Sequence, residues 1–328
     1  MKANAVVFTA RNEVVYQEVD CPDPGADDIV VELTHSWISN GTEGSFLRGE
    51  RIAGDTPYQD GDPDPFPIVA GYQKVGTVMS VGPEIDGFEV GETVFATMGA
   101  VNGMFSPRGG QISPSIGKAG GIWKLPSGHD PVKFSGLVLM QVGYNCGARP
   151  PVEQGEPAIV IGDGMVGQWA AQILAWRGAD VMLVGRHPDR LEKFTQGICV
   201  NAHETDWVQT ALDRYGKIVQ VCVDTVGSVS AVEASYALMR KYGHIVSAGF
   251  YGTEDQLRLQ PPRYGELSID LVSGWAPDRM DKTLELIAEG VLKTVELITH
   301  RFPVDQAADA WDLIESKREP VLGVILEW

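Results

Sequence analysis

The chain has 328 residues, 44% hydrophobic and 21% charged, with a formal net charge of −18. That length exceeds what one hydrophobic core usually organises, so two domains are expected in an otherwise ordinary globular composition. The acidity argues against a nucleic-acid partner or an anionic membrane surface, since both favour excess Lys and Arg, and no stretch reaches the ~18 apolar residues that span a bilayer.

The 38 glycines and 20 prolines suit short strands and tight connections. Met1 to Phe8 carries an apolar run too short for a signal peptide and reads as a first strand. Ile29–Leu33, Gly76–Val81 and Glu92–Phe95 are β-branched runs bounded by turn residues. Between Arg48 and Pro67, a stretch holding Asp55, Asp60, Asp62 and Asp64 lacks calcium-loop spacing and is expected as a solvated loop. Met98 to Gly121, with Arg108, Ser113 and Ser115, reads as a second long loop. Cys21, Cys146, Cys199 and Cys222 form no CxxC pair and read as small buried residues of a reducing, cytoplasmic compartment.

From about residue 140 the rhythm changes. Strands at Ala158–Ile161, Val181–Val184, Val219–Val223 and Ile245–Ala248 alternate with helical spacing at Gln168–Arg177, Arg190–Phe194 and Ser230–Met239. Continuous apolar strands alternating with amphipathic helices specify an α/β domain whose parallel sheet is covered on both faces. Helices at Met280–Glu289 and Val304–Ile314 follow, then a strand at Val321–Leu326 expected to pack back on the first domain.

Gly162-Asp163-Gly164-Met165-Val166-Gly167 is a GxGxxG hexamer that follows an apolar strand and opens a helix. Gly162 permits the tight turn, Gly164 the approach of backbone amides to a pyrophosphate, and Gly167 the packing of helix on strand; the first helical residues, Met165 and Val166, supply free N–H groups. NAD enzymes place an Asp or Glu about 20 residues on, to hold the ribose hydroxyls. This chain has Gly185 there, followed by Arg186, His187 and Arg190, a set that suits a 2′-phosphate. NADP(H) is therefore expected over NAD(H).

Gly71-Tyr72-Gln73-Lys74-Val75-Gly76, with Gly82 and Gly91-Glu92-Thr93-Val94, resembles the GHExxG…G…GDxV signature of the zinc-containing medium-chain alcohol dehydrogenases, and Leu297-Ile298-Thr299-His300-Arg301-Phe302-Pro303 resembles their LITHxxP stretch. Within that superfamily, Asp28–Ser36, Ile38–Glu43, Ala248–Tyr251 and Ile325–Trp328 are similar to the bacteriochlorophyllide dehydrogenases, which oxidise a hydroxyethyl side chain to an acetyl group. The Arg48–Pro67 loop departs from that pattern, so the resemblance implies secondary alcohol and ketone chemistry more than a tetrapyrrole substrate. It also implies a GroES-like, β-rich catalytic domain (residues 1–139 and 276–328), a doubly wound Rossmann domain (140–275), cofactor contacts at Gly249 and Phe250, and a homodimer acting on a small molecule.

The departures from the signature bear on chemistry. Ser39-Asn40-Gly41-Thr42-Glu43 stands where the first zinc-ligating Cys belongs, Tyr72 and Gln73 replace the His and Glu, an apolar residue near Val138 replaces the third ligand, and the four-Cys structural loop is absent. Zinc wants Cys and His, so no metal is expected. Neutral donors must then stabilise the substrate oxygen: Tyr72 first, then Ser39, Asn40 and Thr42, with Glu43 orienting their turn or relaying protons and Gln73 as support. His35 and His300 are expected as structural histidines; Trp37, Phe250, Tyr251 and Trp275 line either a pocket or the core. Two further readings share the fold: reduction of quinones or activated alkenes with NADPH, and non-catalytic NADPH binding.

Overall fold

Pro157–Ile161, buried at every position, lies near the centre of a six-stranded parallel sheet in the computed structural model, which describes residues 1–252 and 256–328. The spatial order of that sheet is Ile198–Asn201, Asp180–Gly185, Pro157–Ile161, Val219–Asp224, Met239–Ser247 and Ser268–Leu271. In chain order that is 3-2-1-4-5-6, the doubly wound arrangement, with all neighbouring pairs parallel.

Successive side chains on these strands point to opposite faces. Ala158, Val160, Val181, Leu183, Val221 and Val223 pack with Ala170 and Leu174 of the helix Met165–Trp176. Ile159, Ile161, Met182, Val184 and Cys222 pack on the other side with Ala211 and Tyr215 of the helix Trp207–Tyr215. Both faces are thus covered, which is why the strands read as unbroken apolar runs.

The chain divides into two units, Val138–Leu297 and a discontinuous one formed by Met1–Leu137 with Ile298–Trp328. In the discontinuous unit, Asp28–Ile38 is flanked in a seven-stranded sheet by Lys74–Val81 and by Gly323–Glu327, both antiparallel to it. Glu327 pairs with His35 and Val324 with Ile38, so the last segment completes the sheet begun by the first. One of its cores joins Phe8, Ile38, Val324 and Leu326 to Trp311, whose ring meets Phe8 edge-on at 5.3 Å. Among the described residues no helix is long and apolar enough to cross a membrane.

Several expectations are corrected. The chain returns to the first unit at Ile298, later than residue 276, because residues 274–293 are tied to the second unit. Gln141 donates to the Gly274 carbonyl at 3.2 Å and accepts from Arg279 at 2.7 Å, and Trp169 donates to the Lys293 carbonyl at 2.8 Å. Residues 48–67 contain a small hairpin, Arg51–Ala53 with Thr56–Pro57, and residues 98–121 hold four short strands instead of one loop. Residues 40–43 are the opening of a helix, Asn40–Leu47, and not a turn. Cys199 is exposed, whereas Cys21, Cys146 and Cys222 are buried.

The helix Leu137–Ala148 lies close against Met165–Trp176 through glycines: a Cβ on Gly147 would stand 2.7 Å from the Ile173 Cβ and 2.8 Å from the Ala170 carbonyl. Gly147→Ala is expected to lower stability by about 1–3 kcal/mol in denaturant unfolding through overpacking. Gly41→Ala, whose Cβ meets nothing within 4 Å, is expected to be neutral or stabilising by up to about 1 kcal/mol. Equal midpoints for Gly147→Ala and the parent would contradict this packing.

Candidate functional site

Gly162 ends the central strand at φ +117°, a conformation L side chains rarely adopt, and the helix Met165–Trp176 begins three residues later. A Cβ on Gly167 would collide with the Gly162 carbonyl, so the helix packs on the strand only with glycine there. Gly164 is the N-cap, has no side-chain cap bond, and a Cβ there would meet nothing within 4 Å. Met165 is buried and Val166 partly so. This open ledge before an uncapped helix N-terminus fits a pyrophosphate group.

At the end of the second strand, Gly185 is buried and Arg186 exposed. Among the described residues the Arg186 guanidinium has no partner. Its neighbours are committed elsewhere: His187 Nδ1 lies 3.0 Å and Arg190 Nη1 3.5 Å from the carboxylate of Asp163. Arg190 is anchored further by Gln168, which donates to its carbonyl at 2.7 Å. Burial alone would raise the Asp163 carboxyl, but the backbone N–H groups of Arg186 and His187 outweigh it and hold the group below its ordinary range.

Gly249 and Phe250 follow the fifth strand. A Cβ on Gly249 would lie 2.4 Å or less from the Gly227 backbone, so this glycine is required by the close approach of two loops. Beside them Tyr251 donates to Asp224 at 2.5 Å and accepts from Ser247 at 3.1 Å, while Asp224 also accepts the N–H groups of Val226 and Gly227.

The first unit gathers the other candidates at the start of the helix Asn40–Leu47. Glu43 is buried; it accepts from the N–H of its own N-cap residue Ser39 at 2.8 Å and from Gln111 Nε2 at 2.8 Å. These two bonds tie Glu43 to the helix start and to Gln111. Tyr72, partly buried, hydrogen-bonds with Ser39 and Thr42; burial pushes its phenol above the ordinary value, reinforced by Glu43 and opposed by those hydroxyls and by Arg51. A phenol held neutral is a hydrogen-bond donor. Asn40 stands apart from this group, because its amide donates to the Leu322 carbonyl at 2.9 Å. Gln73 donates to the Trp37 carbonyl at 3.2 Å and is buried support, and Trp37 belongs to the core.

Arg51 and Asp163 were not singled out by sequence reasoning. Arg51, 4% exposed, donates to Ser45 Oγ at 2.5 Å, to the Gly54 carbonyl at 3.1 Å and to Asp55 at 2.8 Å. Nothing in the acidic stretch around it signals burial. Asp163 had a signal: an acid inside a phosphate-binding loop where the second strand lacks its own. His35 and His300 each contact a neighbouring threonine hydroxyl, at 3.1 and 2.9 Å, and join neither cluster.

Where the family signature has zinc ligands this chain carries Ser39, Tyr72 and Gln73 and, near Val138, an apolar residue, none of them the Cys or His that zinc prefers.

Comparison with known proteins bears on both units. Residues 166–289 match the zinc-binding dehydrogenase family model. The whole chain is 26% identical, over 338 aligned positions covering 99% of the relative, to 2-desacetyl-2-hydroxyethyl bacteriochlorophyllide A dehydrogenase of Cereibacter sphaeroides. Among solved structures it is similar, over its full length and 99% of the other chain, to an alcohol dehydrogenase of E. coli CFT073 complexed with NADH (TM-score 0.85, 20% identity). It is likewise similar, with both chains fully covered, to a protein of the zinc-binding dehydrogenase kind from Sinorhizobium meliloti 1021 bound to NADP (TM-score 0.83, 18% identity).

Burial pushes the Glu43 carboxyl up to about 8 from 4.5, outweighing the Ser39 N–H that favours its charged form. The folded protein thus binds this proton more tightly than the unfolded chain does. The stabilisation is complete below the unfolded value and is lost as pH rises through the folded one. Glu43→Gln, which keeps the acceptor for Ser39, is expected to remove on the order of 4 kcal/mol of that loss. Its Tm should exceed that of the parent at pH 8.5 and converge on it near pH 5. Parallel Tm–pH curves for the two proteins would refute the assignment.

Proposed function

The chain belongs to the medium-chain dehydrogenase/reductase superfamily and is an oxidoreductase of the alcohol–ketone type, and from that premise we propose that it uses NADP(H) and works without zinc on a secondary alcohol or its ketone. One observation carries the cofactor preference: a glycine closes the second strand and the next residue, Arg186, offers an exposed, uncommitted guanidinium. A guanidinium matches a phosphate in charge and fork geometry, and no carboxylate at position 185 opposes one.

NADP(H), when bound, supplies or accepts the hydride. The chain's own residues do the rest. The amides opening the Met165–Trp176 helix would hold the pyrophosphate over Gly164, and Arg186 the 2′-phosphate. Tyr72 would donate its phenolic hydrogen to the substrate oxygen as negative charge grows there, the task zinc performs in relatives that bind it. Ser39 and the partly exposed Thr42, hydrogen-bonded to that phenol, would relay to it the one proton that ketone reduction takes up from solvent, and Glu43 keeps the helix start that carries them in place. The alcohol-to-ketone direction uses the same groups in reverse.

Arg186→Ala is expected to raise the NADPH KM by about tenfold or more and to leave the NADH KM nearly unchanged, because one charge-assisted phosphate contact is worth roughly 1.5–3 kcal/mol. A parent enzyme with a lower KM for NADH than for NADPH would end the NADP(H) reading. Tyr72→Phe is expected to cut kcat by about 100-fold or more on simple ketones and secondary alcohols. Turnover confined to quinones or enones in a substrate panel, or stoichiometric zinc in active protein, would overturn the mechanism.

A further inference from the structure

Asp163 holds the second position of the glycine loop, to which the GxGxxG pattern assigns no task. Its side chain, only 7% exposed, points at the segment after the second strand. The Arg186 N–H donates to Oδ2 at 2.6 Å and the His187 N–H at 2.8 Å; His187 Nδ1 lies 3.0 Å from the same oxygen and 3.1 Å from Oδ1, and Arg190 Nη1 is 3.5 Å from Oδ1. The charge is therefore surrounded by donors from three residues of one short segment, Arg186, His187 and Arg190.

The same side chain also fills space. A Cβ on Gly185 would stand 2.5 Å from the Asp163 Cβ and 2.7 Å from its Cγ, with Oδ2 nearer still, whereas real Cβ atoms essentially never approach below 3.0 Å. Of these three atoms Cβ and Cγ lie near the backbone end of a short side chain and Oδ2 is held by hydrogen bonds, so the obstruction has little freedom to swing away. No Asp or Glu fits at position 185 while Asp163 is in place.

We propose that Asp163 is the specificity-determining residue of the cofactor site: it excludes the ribose-binding carboxylate from the end of the second strand and, by gathering the Arg186 and His187 amides, fixes the loop that leaves the Arg186 guanidinium free for a 2′-phosphorylated ribose. His187 and Arg190, which look like equal partners for that phosphate in the sequence, face Asp163 instead, His187 through Nδ1 and Arg190 through Nη1, while the buried Arg190 Nε has no hydrogen-bond partner among the described residues. The inference rests on the NADP(H) reading for its ligand, but the mutual exclusion of side chains at 163 and 185 is a separate physical claim.

The test measures Kd for NADPH and NADH by fluorescence, together with Tm, for the full chain and four variants: Gly185→Asp, Asp163→Gly, the two combined, and Asp163→Asn. Gly185→Asp alone should lose about tenfold or more in affinity for both cofactors, with a lowered Tm. Adding Asp163→Gly should restore Tm and bind NADH at least about tenfold more tightly than the parent does, a strongly non-additive cycle. Asp163→Asn keeps the volume but offers an amide where the N–H groups of Arg186 and His187 converge. It should weaken NADPH by about tenfold and NADH by much less.

Conversion to NADH by Gly185→Asp alone at unchanged Tm would overturn the proposal, as would additive singles or an Asp163→Asn variant with NADPH affinity intact. Should both Gly185→Asp proteins fail to fold, the Asp163→Asn result decides. A parent that prefers NADH defeats the NADP(H) reading and, with it, the ligand assigned here; the cycle between 163 and 185 still reports the exclusion on its own.

Discussion

The second unit is organised by backbone pressed against backbone. Gly167 sits so close to the Gly162 carbonyl that no side chain fits between helix and strand, and this contact sets where the helix N-terminus emerges. Because the helix starts at that point, Gly164 faces open space and the amides that follow it are free of side-chain caps. The sheet order reverses between Pro157–Ile161 and Val219–Asp224, the position at which doubly wound sheets leave a crevice beyond their carboxyl ends. The neighbouring loops repeat the device at Gly227 and Gly249, whose backbones touch without intervening side chains. An open ledge before an uncapped helix N-terminus is the result of these approaches, not of a cluster of basic residues, which agrees with a chain of net charge −18.

The first unit solves a different electrostatic problem. A catalytic zinc would place a concentrated positive charge beside the substrate oxygen; here burial keeps Tyr72 neutral and pushes the Glu43 carboxyl up to about 8, so both favour their uncharged forms near neutral pH. The buried cation nearby, Arg51, is engaged by Ser45, Gly54 and Asp55. What this cluster presents is a set of oriented hydroxyl donors with their helix start locked by Glu43. In the mechanism proposed above, such dipoles would stabilise a growing alkoxide with little solvent to reorganise.

Legibility in the sequence followed the physics of each element. The parallel strands were visible because both of their faces are covered, and the nucleotide loop because its glycines have a fixed order in a strand-to-helix context. The helix Leu137–Ala148 escaped notice: LVLMQVGYNCGA is apolar nearly all round and lacks the contrast that marks a surface helix. Asn40–Leu47 was read as a turn because Asn, Gly and Thr are poor helix formers, and the bond from the Ser39 amide to Glu43 that supports it is a tertiary detail. Amphipathic spacing revealed the helix Pro277–Ala288 but not which unit covers its apolar face, hence the displaced boundary. Tyr72, Ser39 and Thr42 came only from the family resemblance; periodicity carries no trace of them. Asp163 was in plain view inside the motif, yet its importance lies in a collision with position 185 that only three dimensions reveal.

The first unit is closed by residues far along the chain: Gly323–Glu327 pairs with Asp28–Ile38, and Leu322 receives the Asn40 amide at the head of the helix that carries Thr42 and Glu43. The second unit, by contrast, is one uninterrupted segment. During synthesis on the ribosome the nucleotide-binding half can therefore complete itself while the other half waits with an open sheet edge for its missing strand. Clipping of the final strand would leave the same edge of Asp28–Ile38 without its Gly323–Glu327 partner.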